Sequence, residues 1–362
     1  MLGESAQPLH TAHDLVVLDL DGVVYVGPDA LPGAAAGIRS ARDAGAQVAF
    51  VTNNAARPPA RVAEHLTSLG VPAEPGDVVT SAQAAASLLL ADHGPGAPVW
   101  VLGAAGLREA VTEVGLLPVP APGSGGRAGG GEGRREEPLP VALVTGYGPD
   151  VRWSELMQAA VQVAGGLPWV ASNTDHSLPT PDGRAPGHGV LVRMLADFAG
   201  RSPKVAGKPA RPLLDETVRR LGGSRPLMVG DRLDTDVEGA RNAGMASLLV
   251  LTGVSGLGEV LGAPAHTRTT FLAHDLGGLG RPHAAPRRDG SGWVAGTWRA
   301  VVRDGRLEVT EGPRGARVRA PGPPDPDDWW RAAACAAWQH LDDTGDVAAH
   351  DGLRPPAGSL PA

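Results

Sequence analysis

Residues 15–27 read LVVLDLDGVVYVG, and the reading of this stretch decides the fold. Leu15, Val16, Val17 and Leu18 form a short apolar, β-branched run of the kind that fills a parallel strand buried on both faces. The run ends in two carboxylates, Asp19 and Asp21, followed by Gly22. A buried strand has no use for two charges at its exit unless they bind or react with something. Their i, i+2 spacing points both to the same side. Like charges held that close repel, and a divalent cation or a shared proton relieves the repulsion. The pattern suggests a metal-assisted carboxylate nucleophile with an acid/base partner beside it. The plainer alternative is an acidic turn, because Asp-Gly is a common turn pair.

Working outward, the pattern alternates. A helix is expected over 33–45, a second buried strand over 47–52 stopping at Asn53-Asn54, and a helix over 58–69 that begins at a proline pair. Strand–helix alternation implies a parallel sheet with right-handed crossovers. Ligands in such sheets bind beyond the carboxyl ends of the strands, where Asp19, Asp21, Thr52 and Asn53 fall. Helices follow over 81–92, 105–115, 153–164 and 187–199, with strands over 98–103, 141–146 and 168–172. Residues 118–140 are low-complexity and Gly-rich, and a disordered surface loop is expected there. Alternation resumes with a helix over 212–221, a strand over 226–229, a helix over 234–243 and a strand over 247–251. The middle block therefore reads as an α/β insertion between two halves of one sheet. The expected division is a core at 1–80 and 204–280, an inserted domain at 81–203, and a C-terminal α+β appendage at 281–362. In that appendage a hairpin turns at Asp304-Gly305, Asp325-Pro326 opens a helix, and Trp330, Ala334, Trp338 and Leu341 share one helix face. Its tryptophans are expected to pack.

Composition narrows the function classes. The chain has 362 residues, 42% hydrophobic and 20% charged, as in ordinary soluble proteins. Its formal net charge is −7 with no sustained Lys/Arg block, so nucleic acid is not expected as a partner. The one cysteine, Cys335, rules out an internal disulfide and fits a reducing compartment. The opening MLGESAQPLHTAHD lacks a basic segment followed by an apolar one, so no signal peptide is expected. No apolar run approaches the roughly 20 residues needed to span a bilayer. A cytoplasmic protein without membrane partners is the expectation.

Three further motifs join the first. VTNN at 51–54 ends a strand with the Thr52 hydroxyl and the exposed amides of Asn53 and Asn54, a cradle for phosphate. AGKPA at 206–210 sets Lys208 between a glycine and a helix-starting proline. MVGDRLDTD at 228–236 ends a strand with Gly230-Asp231 and places Asp236 five residues on. Each has a bland reading alone: a strand residue, a surface lysine, a solvated helix start. In this order at strand ends, coincidence is a poor account.

The set resembles the haloacid dehalogenase-like hydrolase superfamily, and its wording is closest to the NagD-like, 4-nitrophenylphosphatase branch. LDLDGVVYVG, VTNN, GKP and GDRLDTD look like that superfamily's four motifs. The long stretch between Thr52 and Lys208 is similar to the branch's inserted cap. SNTDHSLPTPDGRAPGHG at 172–189 resembles the cap's substrate-facing loop. Ala55 departs from the pattern, which often has serine there.

The resemblance implies a Rossmannoid α/β core with a large inserted α/β cap, and a Mg²⁺-dependent phosphatase of small phosphorylated metabolites. It implies that Asp19 attacks phosphorus to form an aspartyl phosphate. Asp21 protonates the leaving oxygen and then activates water. Mg²⁺ would sit on Asp19, Asp231 and the backbone carbonyl of Asp21. Thr52 and the amides of Leu20 and Asn53 would hold the phosphoryl oxygens, with Lys208 neutralising charge. Asp236 would orient Lys208 or support the metal, and Gly230 would allow close backbone approach. Asn173, Asp175 and His176 would meet the organic part of the substrate, with His188 a further specificity candidate. The resemblance also allows a homodimer through the cap.

Two other classes compete. A phosphotransferase or mutase of the same superfamily is disfavoured by the bulky cap. A non-catalytic binding protein working through the appendage is disfavoured by the intact set Asp19, Asp21, Lys208 and Asp231.

Overall fold

The computed structural model describes residues 1–122, 138–180, 183–312, 325 and 327–356. The chain divides into two compact units, one formed by residues 1–50, 69–71 and 221–362, the other by 51–68 and 72–220.

In the first unit Leu15–Leu18 is buried at every position. It pairs in parallel with Pro226–Gly230 on one side and Gln47–Thr52 on the other, so that Leu15 faces both Pro226 and Gln47. Ala246–Val250 and Phe271–Ala273 continue the sheet in parallel beyond Pro226–Gly230. The order of these strands is 271–273, 246–250, 226–230, 15–18 and 47–52. Two sequence-distant halves thus meet at the pair 15–18 and 226–230, and strand order runs away from that seam in both directions. Such a reversal leaves a crevice at the carboxyl ends of the two seam strands. Asp19 leaves one of them and Asp231 the other.

The expected hairpin at Asp304-Gly305 forms. It joins Trp298–Arg303 to Arg306–Glu311, with Asp304 at φ 48° and Gly305 at φ 74°, the double left-handed turn that suits paired strands. Arg287–Asp289 and Gly292–Ala295 complete a four-stranded antiparallel sheet. The helix that follows spans Asp328–Thr344 with Asp327 before it, later than the sequence suggested. Asp325 instead accepts the Asp327 amide at 3.0 Å. Nor is only one face of this helix covered. Trp329, Trp330 and every residue from Ala332 to Trp338 are buried. The helix packs on the small sheet and, with Leu2, Val260, Leu261 and Leu272, belongs to the same apolar cluster as the parallel sheet. Its run of alanines permits close approach on two sides, and the Trp338 indole donates to the Val260 carbonyl at 2.7 Å. The tryptophans pack, as expected. The C-terminal segment shares its core with the parallel sheet and is not a separate body.

The second unit has its own parallel sheet, in the order 204–205, 169–171, 142–145, 98–102 and 117–119. The last strand corrects the expectation for 118–140. Leu117–Val119 pairs with Pro98–Trp100, and Val119 and Ala121 are buried. Residues 123–137 lie outside the described residues. Helices span Ser81–His93, Ala105–Glu113, Trp153–Ala164 and His188–Ala199, as the periodicity predicts. A short hairpin, Ser177–Thr180 with Gly183–Pro186, was not anticipated. Besides the inserted block, this unit takes in residues 51–68, 72–80 and 204–220. Among the described residues, no helix is long and apolar enough to cross a membrane.

Candidate active site

The crevice in the first unit is acidic. One carboxylate oxygen from each of Asp19, Asp231 and Asp236 lies within 4.8 Å of the others, and Asp231 and Asp236 are both 1% exposed. Two of the three are buried, and carboxylates this close together make a cation beside them favourable. Hard oxygen donors at that spacing suit an octahedral Mg²⁺, whose ligands stand a few ångströms apart. The residues therefore fit the cation that the sequence implied.

The surrounding backbone is built around Asp231. Its Oδ2 accepts the Val254 amide at 2.7 Å, and its carbonyl accepts the Ser255 amide at 3.1 Å. Side chains are excluded on both flanks: a Cβ would meet Asp231 Oδ2 at 2.5 Å if added to Gly22 and at 2.0 Å if added to Gly253. Gly22, at φ +83°, opens the turn after Asp21, and the Thr252 hydroxyl donates to its carbonyl at 2.6 Å. Asp21 itself is exposed, and its carboxylate is not one of the three. Asp236 reaches the cluster because Leu233–Val237 forms one π-turn, which returns the residue toward the strand end. Its Oδ2 accepts the Arg232 amide at 3.1 Å. The roles of Gly253, Val254 and Ser255 went unread, since nothing about a Thr-Gly-Val-Ser stretch marks it as a brace.

A second constellation sits within the second unit. Thr52 is buried, and its hydroxyl accepts the Asn54 amide at 3.1 Å. Asn54 is exposed and its Oδ1 accepts the Ala56 amide at 2.8 Å. Ala55 is fully buried, so the residue that departs from the family pattern serves as packing. The Asn53 side chain bonds to the backbone of Lys208 and to Asp175. The Asn53 carbonyl accepts from Asn173 Nδ2 and from Ser81 Oγ, both at 2.6 Å. Lys208 is 2% exposed and precedes a cis Lys208–Pro209 bond. Ser81 was not singled out from the sequence. His176 is exposed. His188 is buried, its Nδ1 lies 2.9 Å from the Asn173 carbonyl, and burial pushes its pKa down to about 4. It is a neutral ring at physiological pH.

With this geometry in hand, comparison with known proteins is informative. The family described as haloacid dehalogenase-like hydrolase matches residues 16–117, and a related HAD-hydrolase-like family matches 205–279. The chain is similar to a D-glycerol 3-phosphate phosphatase of Mycobacterium tuberculosis, 43% identical over 267 residues, which are 74% of this chain and 71% of that protein. It is 33% identical over 246 residues to an acid sugar phosphatase of Staphylococcus aureus, covering 67% of this chain and 88% of that one. Among solved structures, a glycerol phosphate phosphatase from M. tuberculosis in complex with magnesium superposes with a TM-score of 0.77 at 38% identity, over 93% of this chain and 92% of its own. A 4-nitrophenylphosphatase from Thermotoga maritima superposes with a TM-score of 0.66 at 26% identity, over 75% and 98%.

Proposed function

Because the chain belongs to the haloacid dehalogenase-like hydrolase family and is a Mg²⁺-dependent phosphatase of small phosphate monoesters, we propose that it works through an aspartyl phosphate on Asp19 and that its substrate is glycerol phosphate or a polyol phosphate of similar size. The observation that carries the mechanism is the three-carboxylate crevice at the seam of the sheet. The observation behind the substrate is a likeness to the mycobacterial glycerol phosphate phosphatase that covers 93% of this chain, against 75% for the nitrophenylphosphatase.

In this reading the Asp19 carboxylate attacks phosphorus and the ester oxygen departs with a proton from Asp21, whose exposed side chain can exchange protons with solvent. Asp21 then takes a proton from the water that releases phosphate. Lys208 and Thr52, with the amides of Leu20, Asn53 and Asn54, balance charge on the phosphoryl oxygens. Mg²⁺, held by Asp19, Asp231 and the carbonyl of Asp21, would supply the positive charge that lets an anionic nucleophile approach an anionic phosphate. Asp236 orients the loop through the Arg232 amide. His176, exposed on the inserted segment, selects among leaving groups, and Asn173 and Asp175 support the same segment.

A second copy of this chain is the proposed partner, through the inserted domain. What supports this is an exposed apolar stripe on the helix Trp153–Ala164, where Trp153, Met157 and Val161 at i, i+4 and i+8 are 63%, 58% and 59% exposed. Phe198 on the helix His188–Ala199 adds to it. Met157→Glu should convert a dimer to a monomer in sedimentation. A cytoplasmic setting completes the reading, supported by a single cysteine, Cys335, that is buried.

The test is kcat/KM over glycerol 3-phosphate, hexose phosphates, phosphoglycolate, nucleoside monophosphates, pyridoxal phosphate and an aryl phosphate, with and without Mg²⁺. Glycerol 3-phosphate should lead. A lead of more than about tenfold for another ester would overturn the substrate assignment, since that corresponds to a pocket contact it makes better.

A further inference from the structure

We propose that Asp175 is a positioning residue for Lys208, acting through the side-chain amide of Asn53. The Asn53 carboxamide faces the backbone of Lys208 edge-on. Its Oδ1 accepts the Lys208 amide at 2.8 Å, and its Nδ2 donates to the Lys208 carbonyl at 3.0 Å. One rigid planar group therefore holds the peptides on both sides of the lysine Cα, which fixes the direction in which the side chain leaves. The remaining N–H of the same Nδ2 donates to Asp175 Oδ1 at 2.9 Å.

An ionised carboxylate only accepts hydrogen bonds. Asp175 therefore locks in place the orientation of the Asn53 amide that the Lys208 backbone also requires. A flipped amide would set its oxygen against both the Asp175 carboxylate and the Lys208 carbonyl. Asp175 is itself fixed by the segment that carries it. Its amide donates to Asn173 Oδ1 at 3.1 Å, and its carbonyl accepts the Gly189 amide at 2.8 Å. Asn173 closes the ring by donating to the Asn53 carbonyl. The segment 173–175 thus grips Asn53 at its backbone and at its side chain. Close approach explains the glycine before the lysine as well: a Cβ on Gly207 would lie 2.6 Å from Asn53 Oδ1 and 2.8 Å from the Ser172 carbonyl.

Asp175 was expected to meet the substrate. The geometry points instead to an inserted segment that sets the lysine, so substrate choice and charge placement share one loop. A misplacement of about 1 Å in such a group can cost about 100-fold in rate.

The experiment compares Asp175→Asn, which keeps an oxygen acceptor for Asn53, with Asp175→Ala and Asp175→Ser, which do not reach it. The first readout is hydrogen exchange of the Lys208 backbone amide, followed by NMR or by mass spectrometry of the peptide that contains it. It should speed up by about tenfold or more in the Ala and Ser variants and by less than about threefold in the Asn variant, with the strand Pro226–Gly230 as the unchanged control. The second is hydrolysis of p-nitrophenyl phosphate, where kcat should fall about 30-fold in the Ala and Ser variants with KM within about threefold, and the Asn variant should stay near wild type. The kinetic arm rests on the phosphatase reading; the exchange arm does not. No turnover by the wild-type protein would sink that reading, and exchange would still decide the clamp. Unchanged exchange in the Ala and Ser variants overturns the proposal. So does unchanged kcat with faster exchange. Equal damage in the Asn and Ala variants would also overturn it, by placing the carboxylate charge itself on the substrate.

Discussion

Asp236 stands over Gly230 so closely that a Cβ on the glycine would lie 2.2 Å from the Asp236 Cβ and 2.3 Å from its Oδ2. The strand end and the third carboxylate of the crevice therefore share a space that admits no side chain.

Gly230→Ala should push Asp236 out of the cluster and strain the π-turn that carries it. Overpacking of this kind costs about 1–3 kcal/mol, and the loss of geometry should lower kcat/KM about 100-fold. Thermal melting and aryl phosphate kinetics check both. Wild-type activity in this variant would show that Asp236 can leave without consequence.

Asp19→Asn should abolish turnover by at least about 1000-fold while the fold persists. A variant retaining more than about a tenth of the activity would remove Asp19 from the role of nucleophile.

Chelation by EDTA should stop hydrolysis, and Mg²⁺ should restore it. Mg²⁺ at about 100 times its dissociation constant should stabilise the fold by about 2.7 kcal/mol, read as a rise in melting temperature. Asp231→Asn should weaken both effects together. Full activity in chelator is the outcome that contradicts the crevice assignment.

The junction between the parallel sheet and the C-terminal helix should respond to alkali. His274 bonds to Asp275 at 3.3 Å and to Asp327 at 2.7 Å, and these bonds hold its pKa up at about 10. A folded-state pKa above the unfolded value of 6.5 stabilises the fold fully below pH 6.5, and that stabilisation fades as pH rises through 10. His274→Gln should therefore melt well below wild type at pH 6, and the gap should narrow steadily toward pH 10. A gap that widens with pH would reverse the assigned linkage.

His176→Ala should reorder the ranking of natural phosphates and leave an aryl phosphate almost untouched. A uniform fall in kcat/KM across all esters would move His176 into the chemical step or the fold.

Much of this was legible in the sequence, for identifiable reasons. Leu15–Leu18 and Val48–Val51 are apolar without interruption and are followed by polar or turn-forming residues, so both the strands and their functional ends can be read directly. Leu117–Val119 was hidden because its proline and the glycine-rich run beyond it look like loop, yet an edge strand tolerates proline. That Asp236 turns back toward Asp231 could not be read, because the turn Leu233–Val237 is a π-turn and its sequence does not announce one. Trp329 was not assigned to the buried face, because that face was drawn as a single stripe while the alanines around it let the helix bury two. The link from Asp175 to Lys208 could not be read at all, since it depends on where two loops and an amide meet.

The pairing of Leu15 with Pro226 has a consequence for biosynthesis. The strand that carries the nucleophile is made early, and one of its two neighbours is made roughly two hundred residues later. At about 5–20 residues per second, the ribosome leaves that edge open for on the order of ten seconds or more. During that interval the nascent chain exposes an unprotected apolar template for mispairing, while the residues of the second sheet have already been synthesised and can collapse on their own. Chaperone demand in vivo should therefore peak before the codons for 226–230 are read, and ribosome-bound chains stopped short of that point should aggregate where longer ones do not.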